Sequence, residues 1–339
     1  MKKSLMTLGV LALFVLMAYG QEKKFALYSV AFYNMENLFD TIHDEGKNDY
    51  EYLPNGTNQW NTMKYKAKLK NMSEILSMLS TDKLPMGPAI IGVSEIENYR
   101  VLEDILKQPA LADRGYQYVH YEGADQRGVD CAFFYNPKLF ELTNSKLVPY
   151  VYINDTVHKT RGFLIASGNI AGEKMHFIVN HWPSRAAASP ARERAGEQVR
   201  AIKDSLLRED SAAKIVIMGD MNDDPMDKSM AVALGAKRKP ADVGPTDLYN
   251  PWWDTLKKGY GTLMYKGKWN LFDQIVFTGN LLGTDRSTLK FYKHEIFRRD
   301  FMFQKEGKYK GYPKRTQAGG VWLNGYSDHL PTIIYLIKE

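Results

Sequence analysis

The chain has 339 residues, of which 44% are hydrophobic and 25% charged, and its formal net charge is +6. This composition is ordinary for a globular protein, and the charge is too small to indicate a nucleic-acid partner by itself. The only cysteine, Cys131, excludes an internal disulfide and reads as a small buried apolar residue, so stability must come from the hydrophobic core.

The N-terminus has the pattern of a secretory signal peptide. Lys2 and Lys3 precede an apolar run, and the small residues Ala18 and Gly20 follow it. The run is shorter than the ~20 residues of a spanning helix, and no cysteine follows it for a lipoprotein anchor. We therefore predict a signal peptide at residues 1–20, a mature domain at 21–339 and a periplasmic or secreted protein without a stable membrane anchor. An uncleaved anchor is the alternative.

Short apolar runs predict strands, and apolar residues spaced three or four apart predict helices. In chain order, we predict a strand at Ala26–Tyr33, a helix at Asn61–Ser80, strands at Ala89–Val93, Val129–Tyr135 and Met175–Asn180, a helix at Ala191–Arg208, and strands at Lys214–Met218, Leu271–Phe277 and Thr332–Ile337. The long segments between the strands favour a layered α/β sandwich with mixed sheets over a strict βαβ repeat. Since no linker or repeat divides the chain, we expect one domain, and we expect a monomer.

Polar residues gather at or near the ends of these strands. The six segments contain Asn34 with Glu36, Glu95 with Glu97 and Asn98, Asn180 with His181, Asp220 with Asn222, Asp273, and Asp328 with His329. Any one of them could be a helix cap, a turn or a packing residue. Asp273 is harder to explain in this way, because a carboxylate within an apolar strand needs a charged or hydrogen-bonding partner, which His329 could provide.

Together the six segments fit metal-assisted phosphoester hydrolysis. Glu95 and Glu36 supply hard carboxylate oxygens, which suit Mg²⁺, Mn²⁺ or Ca²⁺. The sequence has no Cys/His zinc spacing, no Walker-type loop and no Gly-x-Ser-x-Gly elbow. Pairing with Asp273 would fix the tautomer of His329 and raise its basicity.

In this order the six segments resemble the endonuclease/exonuclease/phosphatase superfamily, in particular its secreted deoxyribonucleases and apurinic endonucleases. The resemblance runs from residue 34 to residue 329. It implies a four-layer α/β sandwich with two facing mixed β-sheets flanked by helices, and a site at one end. The main departure is Met221, where the family commonly has an aromatic residue.

The resemblance also implies roles for individual residues. Glu95 would be the principal metal ligand, assisted by Asn34 or Glu36, and Asp328 could hold a second cation. The catalytic residues it implies are Asp220 and Asn222 for the attacking water, His329 paired with Asp273 for the scissile phosphate or as base, and His181 for the phosphoryl oxygens or the leaving group. Arg127 would contact phosphate. The number of metals and the identity of the general base stay open.

The sequence leaves the substrate open. The segment from Lys290 to Arg315 has nine basic and three acidic residues with aromatic residues between them. Such a segment can bind nucleic acid, or it can be a solvated loop held by its aromatic residues. Residues that could shape a substrate pocket are Trp182, Arg185, Lys268 and Trp269.

We expect a nuclease with nucleic acid or another phosphodiester as substrate and Mg²⁺ as cofactor. The alternatives are a phosphatase or phosphodiesterase for small or lipid phosphoesters and, less favoured, an inactive binding module. A sphingomyelinase would need an apolar membrane-contacting loop, for which Trp252–Trp253 is the nearest candidate.

Overall fold

The computed structural model describes residues 24–153, 155 and 157–339, so the signal peptide predicted at 1–20 lies outside the described residues. The strands are β1 (Ala26–Leu38), β2 (Ile90–Ile96), β3 (Gln117–His120), β4 (Asp130–Tyr135), β5 (Glu141–Val148), β6 (Phe163–Ile170), β7 (Glu173–His181), β8 (Lys214–Asp220), β9 (Ala236–Lys237), β10 (Leu248–Tyr249), β11 (Leu263–Tyr265), β12 (Lys268–Asn270), β13 (Asp273–Thr278), β14 (Lys290–Ile296), β15 (Gln317–Ala318), β16 (Val321–Trp322) and β17 (Thr332–Lys338). The α-helices are α1 (Thr62–Met78), α2 (Tyr99–Leu106), α3 (Ser189–Glu209) and α4 (Trp253–Lys257). Shorter helical turns occur at Tyr50–Tyr52, Ala112–Arg114, Ser229–Leu234, Pro240–Asp242, Gly279–Leu281 and Asp300–Met302.

Two mixed sheets form the centre of the fold. One has six strands in the order β14-β17-β1-β2-β4-β3, and the other has seven in the order β5-β6-β7-β8-β13-β10-β9. The pairs β1–β2 and β7–β8 are parallel, so the carboxyl ends of neighbouring strands meet at one edge of each sheet. Two separate hairpins, β11–β12 and β15–β16, complete the strands.

Three hydrophobic clusters show how the layers stack. Apolar residues of both sheets share the central cluster, and the sheets come so close at Gly92 that an added Cβ would lie 2.6 Å from the Met218 sulfur. A second cluster joins the outer face of the six-stranded sheet to α1 and α2, and a third joins the seven-stranded sheet to α3. This is the four-layer α/β sandwich that the resemblance implies.

The predicted elements are confirmed, but several strands run further than their apolar residues. The apolar positions predicted for α1, including Leu69, Met72 and Leu76, are buried. The first strand continues from Tyr33 to Leu38, because the hydrogen-bonded ladder with β2 extends through Asn34. Several polar residues expected just after the strands, among them Asn34, Glu95 and Asp220, therefore belong to the strand ends themselves.

Two sequence expectations need correction here. The basic and aromatic segment does not form a single loop, because its first residues form β14 at the edge of the six-stranded sheet. Trp252 is fully buried in the central cluster and donates a hydrogen bond from Nε1 to the carbonyl oxygen of Ile275, so its side chain cannot contact a membrane. Cys131 is buried, as expected. Within the described residues, no helix has both the length and the apolar character to cross a membrane.

Candidate active site

The strand register brings three predicted catalytic residues together. Asp220, at the end of β8, lies opposite Asp273 on β13 and beside His181 on β7. Like charges directly opposite each other in an antiparallel pair destabilise a sheet. Both aspartates are nevertheless buried, at 2% and 0% exposure, which indicates that a function requires them.

The backbone leaves regular strand geometry where the other polar residues lie. The β1–β2 ladder shifts register between Asn34 and Leu38, and the β2–β4 ladder shifts between Ser94 and Ile96. Glu95 has a φ of 58° and Asn222 a φ of 51°, in the left-handed region that few residues other than glycine adopt. Bulges and left-handed residues redirect side chains near active sites, and here Glu95 turns towards Asp220.

Asn34 holds the two carboxylates in place. Its amide nitrogen donates to Glu95 Oε1 at 3.2 Å and to Asp220 Oδ2 at 3.0 Å. Its amide oxygen accepts a hydrogen bond from the backbone N–H of Glu36 at 2.8 Å, which fixes this orientation. Asn34 is thus a hydrogen-bond donor that positions Glu95 and Asp220.

His329 forms the expected pair with Asp273. Its Nδ1 lies 2.7 Å from Asp273 Oδ2, and its Nε2 points towards Asp220 Oδ2 at 3.9 Å. Burial opposes protonation of the ring, but Asp273 and Asp220 together raise the pKa of His329 well above its usual value. The imidazole is therefore held in its charged form.

His181 is in the opposite electrostatic situation. Burial, together with the positive charges of Arg161 and Arg127, holds its pKa well below its usual value, so the ring is neutral. Its Nε2 lies 3.7 Å from both Glu95 Oε1 and Asp220 Oδ2. A neutral ring here can bind a metal ion or donate a hydrogen bond, whereas it is poorly suited to protonating a leaving group.

Glu95, His181 and Asp220 fit a divalent cation. One possible ligand atom from each lies within 4.8 Å of the others. Burial raises the pKa of Asp220 to about 7; Asp273 and Glu95 add to the shift, and His329 opposes it. Carboxylate oxygens are the ligands that Mg²⁺, Mn²⁺ and Ca²⁺ prefer.

These residues line a pocket of about 380 Å³ that also contains two arginines. Arg127 is the arginine that the sequence predicts here, whereas no sequence motif indicates Arg161. The Arg161 side chain is buried, donates to Asp125 at 3.0 Å and to the carbonyl oxygen of Trp182 at 2.8 Å, and has an Nε without a hydrogen-bond partner. The one signal in the sequence is a charged residue two positions before the buried strand β6.

Two residues predicted as metal ligands are bound to other groups. The Glu36 carboxylate accepts hydrogen bonds from Arg315 Nε at 2.8 Å and from the backbone N–H of Thr316 at 2.7 Å, so it is not a free ligand. Asp328 is paired with Arg315 Nη2 at 2.9 Å, although its other oxygen lies 4.0 Å from His329 Nε2. Both acids thus hold Arg315 next to the pocket.

Three of the predicted substrate-binding residues have other partners in the structure. Trp182 is buried beneath α3, and only its carbonyl oxygen reaches the site, where it accepts hydrogen bonds from Arg161 and from the Asn222 amide. Arg185 is paired with acidic residues of the loop after Asn222, including Asp227 at 2.8 Å. Trp269 packs against the guanidinium of Arg298 at 4.9 Å and does not line the catalytic pocket.

Carboxylates for a cation, guanidinium groups for phosphate oxygens and a charged imidazole within one pocket are what phosphoester hydrolysis requires. The site therefore defines a metal-dependent phosphoesterase. The chain belongs to the endonuclease/exonuclease/phosphatase family, whose model matches residues 29–338. The resemblance on which the site residues were assigned is thus confirmed. No curated protein shows significant sequence similarity to the chain.

Solved structures with the same fold share little sequence with the chain. An endonuclease/exonuclease/phosphatase family protein from Bacteroides thetaiotaomicron has a TM-score of 0.58 and 15% identity, covering 93% of this chain and 96% of that one. A mannosyl-6-phosphatase from the same species gives 0.56 and 14%, covering 91% and 99%. TDP2 from D. rerio, complexed with a single-strand DNA product, gives 0.52 and 14%, covering 92% and 99%. These similarities confirm the fold alone.

Proposed function

We propose that the chain is a secreted, divalent-metal-dependent phosphodiesterase that hydrolyses nucleic acid through in-line attack of an activated water. The observation that carries the proposal is the opposed pair of buried aspartates, Asp220 and Asp273, with His329 between them. Asp273 holds one ring nitrogen of His329, and the other nitrogen faces Asp220 across the pocket.

In this proposal, Asp220 would accept the proton of the attacking water. The backbone N–H of Asn222 donates to Asp220 Oδ1 at 2.9 Å, so Oδ2 faces Asn34, His181 and His329. The Asn222 side chain, anchored on the Trp182 carbonyl at 3.1 Å, lines the same pocket and would position the water. An oriented base and a positioned water contribute typically 10²–10⁴-fold to such a reaction.

Three cationic groups would bind the phosphate. His329, kept protonated by Asp273, can donate from Nε2 to a phosphoryl oxygen. Arg127 and Arg161 face the same pocket, and the buried Nε of Arg161 can donate to a second oxygen. Neutral His181 would complete the set as a hydrogen-bond donor or as a ligand of the cation.

The cofactor is proposed to be Mg²⁺, with Mn²⁺ or Ca²⁺ as possible substitutes. Glu95, Asp220 and His181 would hold the ion, which when bound polarises a phosphate oxygen. The proposal that the protein is secreted rests on the signal-peptide pattern at residues 1–20. The preference for nucleic acid is supported by the basic residues after β14. A phosphatase or a phosphodiesterase for small or lipid phosphoesters would share this site chemistry.

A release assay on plasmid DNA, RNA and a panel of small and lipid phosphoesters, with Mg²⁺, Mn²⁺ or EDTA, tests the proposal. We expect hydrolysis of at least one phosphodiester, abolished by EDTA and by Asp220→Ala. Equal turnover with and without the chelator would exclude the metal-dependent mechanism. Release from monoesters alone would instead identify a phosphatase.

A further inference from the structure

A second cavity of about 760 Å³ opens beside the catalytic pocket. Its walls come from the β11–β12 hairpin, the residues around β15 and β16, and the loop at 304–313. Arg315 and Asp328 line its inner end, and Asp328 lies next to His329 in the chain, with Oδ1 4.0 Å from His329 Nε2. We call this cavity the aromatic cleft, because Tyr265, Tyr309 and Tyr312 line it.

Two of the three tyrosines of the aromatic cleft are largely exposed. Tyr265 is 61% exposed and Tyr309 is 52% exposed. Tyr309 meets Tyr312 edge to face at 5.4 Å, and the Tyr312 hydroxyl accepts a hydrogen bond from the backbone N–H of Gly267. The cleft thus offers exposed aromatic faces to a ligand, and contacts within the cleft hold Tyr309 and Tyr312. Its charged lining residues are Lys266, Lys308, Arg315, Glu306 and Asp328, so it is not strongly cationic.

A cluster of positively charged residues lies in a separate pocket next to the aromatic cleft. A pocket of about 390 Å³, the basic pocket, contains Arg298, Arg299, Lys305 and Lys310 with one acid, Asp300. Gln304 lines both the basic pocket and the aromatic cleft, so the two are adjacent.

Arg298 gives the basic pocket a fixed donor. Its guanidinium packs on Trp269 and Phe303, each at 4.9 Å, and its Nη1 is buried without a hydrogen-bond partner. Because a buried donor without a partner is costly, an anion that accepts from Arg298 would relieve that cost.

We propose that the aromatic cleft and the basic pocket bind single-stranded nucleic acid, with a base stacked in the cleft and a flanking phosphate in the basic pocket. This inference rests on the proposed function, since it places the scissile phosphate at His329. An alternation of anion site, aromatic wall and anion site matches the alternation of phosphate and base along a strand. A paired base is already stacked within its duplex, so only an unpaired base can enter the cleft.

Fluorescence anisotropy with a labelled oligodeoxythymidylate of about 20 nucleotides, in EDTA, tests the inference without turnover. We expect this strand to bind at least about tenfold more tightly than a duplex of the same length. Tyr309→Ala should weaken binding roughly five- to 150-fold, the range for loss of one base-stacking contact. Tyr309→Phe keeps the ring and should remain within about twofold of wild type. The matched control is Tyr292→Ala, since Tyr292 lies on β14 outside the cleft and is 51% exposed. Its affinity should also remain within about twofold of wild type.

Salt dependence tests the basic pocket separately. Replacing both Lys305 and Lys310 by Gln should lower the slope of log Kd against log salt by about 1.4, at about 0.7 for each phosphate contact on a single strand. Equal affinity for duplex and single strand, wild-type affinity in Tyr309→Ala, or an unchanged slope would each overturn the inference. So would binding to sphingomyelin vesicles, lost in Tyr309→Ala, without binding to the oligonucleotide. Because no turnover is needed, failure here is distinguishable from failure of the release assay.

Discussion

Replacing Asp273 by Asn tests the centre of the proposed mechanism. Asp273 Oδ2 lies 2.7 Å from His329 Nδ1, and the aspartate is completely buried. Asp273→Asn keeps the volume of the side chain and removes its charge. A hydrogen bond to a charged group contributes about 1.5–3 kcal/mol. If it stabilises the transition state fully, its loss lowers kcat/KM roughly 10- to 150-fold.

The pH dependence should change in a defined direction. Burial opposes protonation of His329, and the charges of Asp273 and Asp220 raise its pKa well above the usual value. Losing the Asp273 charge lowers this pKa, so the charged ring should disappear at a lower pH than in the wild type. The loss of activity should therefore be smallest at acidic pH and increase as the pH rises.

The assay is kcat/KM against pH on a chromogenic phosphodiester at saturating Mg²⁺. Asp130→Asn is a matched control, because Asp130 is a buried aspartate on β4 whose Oδ2 lies 3.3 Å from His120 Nε2, outside the catalytic pocket. The control should lose little activity at any pH. A rate close to that of the wild type for Asp273→Asn, with an unchanged pH profile, would remove the pair from the mechanism.

Three further variants test other parts of the structure. Arg161→Lys should lower kcat/KM about tenfold or more in steady-state kinetics, because a lysine cannot donate in the fork geometry that reaches Asp125, Trp182 and the phosphate; unchanged kinetics would exclude a phosphate contact. Asp220→Asn should be more stable than wild type in EDTA, since it removes repulsion between buried carboxylates. Mg²⁺ at 100 times its Kd should stabilise the wild type by ~2.7 kcal/mol and the variant by less. Thermal unfolding with and without Mg²⁺ measures both effects, and equal stabilisation of the two proteins by Mg²⁺ would argue against Asp220 as a ligand. Burial and Lys258 lower the pKa of His294 to about 4, so its contribution to stability is present above pH 6.5 and is lost as the pH falls towards 4. His294→Gln should therefore reduce the fall in unfolding free energy over that range by roughly 3 kcal/mol in urea titrations, and an unchanged fall would show that another group titrates.

The strands that carry the site could be predicted from the sequence, because each has an apolar core run next to its polar end. The residues at which those strands end could not be predicted. Hydrogen bonding continues through Asn34 on β1 and Asp220 on β8, where hydrophobicity has already ended. The hydrophobic pattern of a sequence indicates which residues are buried, whereas the length of a strand is set by its hydrogen bonds with the neighbouring strand. The edge strand β14 was missed for a related reason, since its residues are only partly buried and carry mixed charge.

The site residues were easier to predict from the sequence than the groups that they contact. Glu36 was a reasonable metal ligand until the fold brought Arg315, almost 280 positions later in the chain, to within 2.8 Å of it. Trp182 looked like a substrate contact because it follows His181, but α3 covers its ring. Arg161 had no motif around it at all. Pairings of this kind depend on tertiary contacts between distant segments, which local patterns do not encode.

Several site residues have locally unfavourable neighbours or backbone conformations. Asp220 and Asp273 face each other as like charges, and Glu95 and Asn222 occupy the left-handed region. Each feature alone is unfavourable, by up to about 1 kcal/mol for the charge pair and of order 1–3 kcal/mol for each backbone conformation. A sheet selected only for stability would replace the aspartates with apolar residues and keep its strands regular. Their presence on adjacent strands is explained if a cation and a phosphate supply the missing interactions when bound, which is why the register of β8 and β13 is the strongest structural argument for catalysis.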